Sequence, residues 1–262
     1  MRGWWSGAAV TAAVTVAVGT LGTTTPAWSQ MTSQRSISML NGEGGWTPAV
    51  FVCDSVDRDR VLVLSPPDRV RAATLTSLSK PGLVRHRVRV RIGAGDPGMG
   101  QIHYPLTNDA GREVGDIHAV NPGMVEPGAT TPTVTSVAWG RDVTGCRFAP
   151  QTRVLGVTAS RSVQVTRSDR DGFVYRSYDH DSDLPVVDRP WGGSDTRASL
   201  TITGGRLVEE RGGRRVYHFA NGGYVYRVLA SVDPATGGGG VQVWRDGRMV
   251  QSEPFAAYTA AS

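Results

Sequence analysis

Apolar and polar residues alternate over short runs along most of the chain, and glycine, proline, asparagine or aspartate breaks the runs at nearly regular intervals. A period of two puts successive side chains on opposite faces of a pleated strand, so the pattern predicts strands joined by turns. The clearest stretch runs from Ala198 to Glu253. Within it Arg214 to Phe219, Ala220-Asn-Gly-Gly223 and Tyr224 to Ser231 read as strand, turn and strand, with Asn-Gly supplying the positive φ of a tight hairpin. Ala198 to Thr203, Arg206 to Glu210, Val241 to Arg245 and Arg248 to Glu253 extend the series. Connections as short as Gly204-Gly205, Gly212-Gly213 and Asp246-Gly247 force antiparallel neighbours, hence an up-and-down meander.

Upstream, strands are expected at Ala49 to Cys53, Arg60 to Leu64, Leu83 to Ile92, Gln101 to Leu106, Arg112 to Val120, Val134 to Trp139, Cys146 to Phe148 and Thr152 to Thr158. Ser162 to Thr166 and Phe173 to Ser177 form a further hairpin. Arg69 to Lys80 has helix punctuation at both ends, but Thr74-Leu-Thr76 favours a strand, which is the reading taken. The fold class is therefore all-β: an antiparallel β-sandwich, or two small β-barrel-like subdomains, with a C-terminal up-and-down meander. The expected organisation is a signal peptide over 1–29, a flexible N-terminus over 30–45, an N-terminal β region over 46–159 and a C-terminal meander region over 160–262.

The signal peptide rests on Arg2, an apolar run from Ala8 to Leu21 and the small-residue site Ala27-Trp-Ser29. That run, about 14 residues, is too short for a bilayer-spanning helix, and no later segment replaces it. Export makes a disulfide between Cys53 and Cys146, the only cysteines, the expected state. Loss of Arg2 leaves 27 basic against 23 acidic residues, a formal +4 carried almost wholly by arginine. Acids are interspersed throughout, so the balance reads as a solvated surface, with a polyanion-binding face as the alternative.

Candidate chemistry is sparse. Leu83 to Ile92 puts Val84, His86, Val88, Val90 and Ile92 on one side and Arg85, Arg87, Arg89 and Arg91 on the other. His86 reads as a strand-end filler. The arginine row either grips an acidic partner or discourages edge-to-edge aggregation. Gly93 to Gly100 satisfies Gly-x-Gly-x-x-Gly after a strand, but the strand-like Gln101 to Pro105 follows where a helix N-terminus is needed, so the glycines are read as a loop using positive φ. No cofactor is expected.

Asp179, Asp181 and Asp183 alternate as at the start of a calcium loop, but Leu184 and Pro190 occupy the glycine and glutamate positions. These three are the weak metal candidates, and Asp179, His180 and Asp181 the weak catalytic ones, with Trp191 and Asp195 placed to join them in one loop layer. His103, His118 and Asp116 form a second cluster, read as structural. Ligand-binding candidates are Tyr224 and Tyr226, which share a face with Val228, together with Trp191, Arg87, Arg89 and Arg91.

No nucleophile elbow, metalloprotease helix, phosphate-binding loop or zinc spacing is present. The compact aromatic hairpins resemble those of small envelope proteins that inhibit lysozymes; the chain differs in length and has no inhibitory loop motif. The expectation is an exported, soluble, non-enzymatic binding or envelope-associated protein, periplasmic or secreted. The alternatives are a periplasmic hydrolase or lyase acting on an anionic polymer or glycan, and a structural or stress-protective envelope protein. Expected partners are an envelope polysaccharide or another exported protein, with no nucleic acid and no membrane span.

Overall fold

The structure is a computed structural model that describes residues 36–57, 59–98, 100–120, 134–147, 151–188 and 194–261. Among them the chain is all-β, with twenty-two strands in antiparallel sheets and no helix. Strands β1 (Ser36–Gly42) and β2 (Gly45–Ala49) form an opening hairpin. Nine strands follow in a sheet of their own: β3 (Phe51–Asp54), β4 (Arg60–Leu64), β5 (Ala72–Ser79), β6 (Arg85–Ile92), β7 (Asp96–Gly98), β8 (Gln101–Thr107), β9 (Glu113–Val120), β10 (Val134–Trp139) and β11 (Asp142–Gly145).

Their order is β11-β10-β9-β8-β6-β5-β4-β3, with β7 on β8, and the two ends meet. Ser55 bridges Cys146, the amide of Arg147 donates to the Asp54 carbonyl at 2.7 Å, and Cys53 is bonded to Cys146. The sheet thus closes around a core that includes Phe51, Leu75, Val90, Tyr104, Ile117 and Val137.

The second sheet has eleven strands. To β1 and β2 it adds β12 (Thr152–Val157), β13 (Arg161–Ser168), β14 (Gly172–Asp179), β17 (Leu200–Arg211), β18 (Arg214–Asn221), β19 (Tyr224–Ser231), β20 (Gly239–Arg245), β21 (Arg248–Pro254) and β22 (Ala257–Ala261). Strands β15 (Val186–Asp188) and β16 (Ser194–Thr196) pair only with each other, as an arm between β14 and β17. The order β2-β1-β22-β12-β13-β14-β17-β18-β19-β20-β21 contains the expected meander and curls into a half-barrel. Met39, Val165, Tyr175, Phe219, Val228 and Tyr258, from six strands, converge on one core. Trp46 of β2 reaches the β19–β20 turn so closely that a Cβ on Gly237 would lie 2.4 Å from its own. A third cluster, Val52, Val61, Val63, Leu78, Val157, Ala256 and Ala257, packs the two sheets against each other.

Several expectations need correction. Residues 36–45 are strand and turn, not flexible chain: β1 lies between β2 and β22, Met39 is fully buried, and Ser38 Oγ meets Thr259 Oγ1 at 2.7 Å. The polar composition hid the Ile37-x-Met39 alternation. Residues 1–35, with the expected signal peptide, lie outside the described residues. The expected division at Ala159 falls within the larger sheet, between the paired strands β12 and β13. Cys146 makes an isolated bridge and does not begin a strand; Phe148 lies outside the described residues.

Gly204-Gly205 is a bulge inside the continuous strand β17, whose first half pairs β14 and second half β18. The reason is local: Gly204 has φ +73°, and a Cβ on Gly205 would sit 2.1 Å from the Phe219 ring. Gly93 and Gly95 are likewise needed for close approach, to Pro105 and to Ile102, and not for positive φ. On β6 the predicted parity holds at Val90 and Ile92, which are core, but fails at its start, where Arg85 to Arg89 are all exposed.

Candidate functional site

The sequence order Cys53-Asp54 and Cys146-Arg147 decides the site. Bonding the two cysteines brings the following residues together, and Arg147 Nε donates to Asp54 Oδ2 at 2.7 Å. Lys80, at the end of β5, donates from Nζ to Asp54 Oδ1 at 2.9 Å and to the Ser55 carbonyl at 2.7 Å. The other side of the Arg147 fork meets Asp195 and, at 3.2 Å, Thr196 Oγ1, both from the β15–β16 arm. The guanidinium stacks on the Tyr178 ring, 3.4 Å from its centroid.

Two acids and two bases are thus buried together with formal charges that cancel: the side chains of Asp54, Asp195, Arg147 and Lys80 are 0, 1, 3 and 9 % exposed. Burial pushes the Asp54 carboxyl up, but the charges of Lys80 and Arg147 and their hydrogen bonds outweigh it and hold it well below the usual carboxylate range.

Above this floor lies a cleft of about 290 Å³ where the nine-stranded sheet meets β13, β14 and the arm. Asp57 and Asp59 come from the β3–β4 connection, and Asp179, His180 and Asp183 from the end of β14 and the turn beyond it. Asp179 leans to Arg161 at 3.3 Å, whereas Asp57, Asp59 and Asp183 pair with no cation among the described residues. Asp57 is held by the Ser55 hydroxyl at 3.0 Å and the Gly145 amide at 3.2 Å. Burial lowers the His180 pKa; Asp54 and the Ala159 carbonyl pull it up, Lys80 and Arg147 pull it down, and the net is downward. The ring is neutral at neutral pH, so the rim keeps its negative charge.

His180 Nε2 and Ser162 Oγ are 3.1 Å apart, the spacing of a base and a nucleophile. Ser162 is 1 % exposed, however, and among the described residues no carboxylate bonds His180 Nδ1 to orient the ring.

Of the predicted residues, the structure brings Asp179, His180 and Asp183 to one cleft and places Asp195 beneath it. Asp181 does not line the cleft; it sits on the exposed turn near Ser182. Trp191 lies outside the described residues. No group of three ligating side chains is close enough to hold a metal among the described residues. Tyr226 faces the half-barrel core, 5.5 Å from the Tyr175 ring, and the Tyr224 hydroxyl accepts from Arg245 at 3.1 Å, so the pair forms no open platform. Arg87, Arg89 and Arg91 are on β6, outside the cleft.

His103 and His118 do face each other across β8 and β9, stacked 4.7 Å apart, with Asp116 2.7 Å from His103 Nδ1. Both nitrogens of His118 are engaged, by Gln101 at 2.6 Å and Thr135 at 2.8 Å, which leaves them no lone pair for a metal.

Asp54, Lys80 and Arg147 were not anticipated. A charged residue beside each cysteine of an expected disulfide was the available signal. A larger cleft of about 450 Å³ at the Gly237–Gly240 turn has five glycines in its lining, and its single carboxylate, Glu253, is bound by Thr158 at 2.7 Å, Ser160 at 2.8 Å and Arg161 at 3.2 Å. Comparison with family models, with curated proteins and with solved structures finds no match to this chain. Among the described residues no helix is long and apolar enough to cross a membrane, which says nothing of a β-barrel.

Proposed function

We propose that the chain is an exported, non-enzymatic binding protein whose junction cleft takes a cationic group, an ammonium or guanidinium carried by an envelope polymer or another exported protein. One observation carries the reading: carboxylates crowd the rim while the basic groups beneath them are buried and already paired. A buried pair gains little from a ligand, whereas an unpaired carboxylate in a concave site attracts a cation over distance and fixes it on contact. The volume suits one basic side chain or amino-sugar ring. Export is supported by the leader pattern from Arg2 to Ser29 and by the disulfide, which persists in oxidising compartments.

The test is a calorimetric panel with cationic oligomers, namely chitosan fragments and arginine-rich peptides, against anionic ones such as polygalacturonate. A cationic oligomer is expected to bind, more weakly as salt rises, with about three- to tenfold loss in Asp57→Asn and Asp183→Asn. Binding only of the polyanions, or silence across the panel, overturns the reading. The Ser162–His180 spacing is the one observation favouring hydrolysis. An ester or glycoside substrate turned over by the wild type and not by Ser162→Ala would replace binding with catalysis.

A further inference from the structure

Strand β6 overhangs its neighbour. It pairs with β5 along its whole length, but with β8 only at Arg91 and Ile92, because β8 ends at Thr107 and the chain turns away through Asn108 to Gly111. From Arg85 to Arg89 one edge of the ladder therefore has no strand beside it among the described residues. Those five residues, with Val84 before them, are all exposed, Val84 and Val88 at 63 and 40 %.

The ladder's phase fixes which backbone groups face that edge. The Ser79 amide bonds the Val84 carbonyl and the Ile92 amide bonds the Arg71 carbonyl, so the even residues of β6 exchange hydrogen bonds with β5. Alternation then points the N–H and C=O of Arg85, Arg87 and Arg89 outward, into the empty track. The residues whose outward backbone groups meet no strand among the described residues are the same ones that carry guanidinium groups, all on one face. Two are partly compensated: Arg85 donates to the Asn41 carbonyl, and Arg89 lies 3.5 Å from Asp109 and 3.8 Å from Asp68. Arg87, in the middle, has no carboxylate partner among the described residues.

We propose that this overhang is a docking edge for an extended acidic segment of another polypeptide, which adds as a strand beside β6 with a carboxylate at every second residue. A strand laid antiparallel in the track forms closely bonded pairs with Arg85, Arg87 and Arg89. Its own alternate side chains then stand directly opposite the three guanidinium groups, within reach of charge-assisted hydrogen bonds. Backbone pairing supplies much of the affinity and the alternation sets the register. The open track is five residues, about 17 Å at the usual rise, so a segment of that length fills it.

The experiment uses the whole secreted chain and three fluorescent peptides: one with glutamate at alternate positions among threonine and valine, one of the same composition with its glutamates contiguous, and one with lysine replacing glutamate. Anisotropy is expected to rank them in that order, with the alternating peptide at least about tenfold tighter than its scrambled form. On hydrogen exchange, the amides of Arg85, Arg87 and Arg89 should gain protection on binding, while those of His86, Val88 and Val90 are protected beforehand. Arg87→Gln removes charge and Arg87→Pro also removes an outward N–H without touching a β5 bond. The expected losses are about fivefold and more than tenfold, with a circular dichroism spectrum unchanged in both. Equal binding of alternating and scrambled peptides overturns the register. Self-association of an Arg85, Arg87, Arg89 triple threonine variant, with no peptide binding by the wild type, would make the arginines guards of the edge and sink the proposal.

Discussion

The two sheets curl by different chemistry, one into a closed sheet and the other into a half-barrel. The nine-stranded sheet has a mostly aliphatic core and joins its ends with a disulfide beside a buried charge cluster. The eleven-stranded sheet has no covalent tie; it curls because large rings fill its concave side, Tyr175, Tyr217, Phe219, Phe255 and Tyr258 being almost fully buried. Ring contacts run across that interior: Trp46 on Tyr258 at 5.2 Å, Phe173 on Tyr217 at 5.0 Å and Tyr175 on Phe219 at 5.5 Å. The lesson is that a barrel-like sheet needs a reason to close, and a local covalent constraint and a volume of aromatic side chains are alternative reasons.

The largest effect should come from the disulfide. Its loop spans 93 residues, and Cys146→Ser is expected to cost about 4 to 5 kcal/mol by chain entropy, read from denaturant midpoints. Exchange should show β3 and β10 opening before β18 and β19; the reverse order would break the comparison. Arg147→Met comes next, at about 3 to 5 kcal/mol, because it removes from a dry site the one guanidinium that bonds both Asp54 and Asp195. Replacing all the charged partners with apolar residues should recover most of the loss, and failure to do so would mean that the cluster is more than compensated burial.

In the other sheet Gly205→Ala should cost about 1 to 3 kcal/mol, since its Cβ collides with Phe219, and a Tm that does not move would remove the steric account of the bulge. Tyr258→Phe keeps the ring and loses the bond to the Ser231 carbonyl at 3.0 Å, for about 1 kcal/mol. Burial raises the pKa of that hydroxyl, so it stays protonated and able to donate.

The smallest effect is acid sensitivity. His118, His180 and His218 all have pKa values below the ordinary 6.5, in each case chiefly through burial. The unfolded chain therefore binds protons first as pH falls, so stability present above pH 6.5 declines below it. Asp54, with its lowered pKa, gives up its share only in far stronger acid. Melting temperatures between about pH 7.5 and pH 5 should fall, and His180→Gln should flatten the slope more than His218→Gln, because His180 is the more enclosed. A flat profile in the wild type would contradict the burial of these rings.

Much of the strand pattern was legible. Arg60 to Leu64 and Val134 to Trp139 are strands where their apolar and β-branched residues place them, although the first is buried on both faces and a bulge follows Val134 in the second, and the Gly212-Gly213 and Asp246-Gly247 turns take the positive φ their residues favour. The Gly204-Gly205 bulge was not legible, because a glycine pair reads the same whether the chain reverses or a ring from another strand needs the space. At the cleft, the acidic turn after β14 could be read as unusual, but its neighbours Asp57, Asp59 and Lys80 come from segments about a hundred residues away.

Side-chain alternation and turn residues by themselves determined that this chain is all-β and where most strands lie, because those depend on neighbours a few residues apart; the presence of only two cysteines was enough to name the disulfide pair. Which sheet each strand joins, which glycines bend the chain, the burial of Asp54 with Arg147 and the overhang of β6 were decided only by the tertiary structure. They arise from contacts whose sequence separation carries no local signal, and from strands ending at different heights.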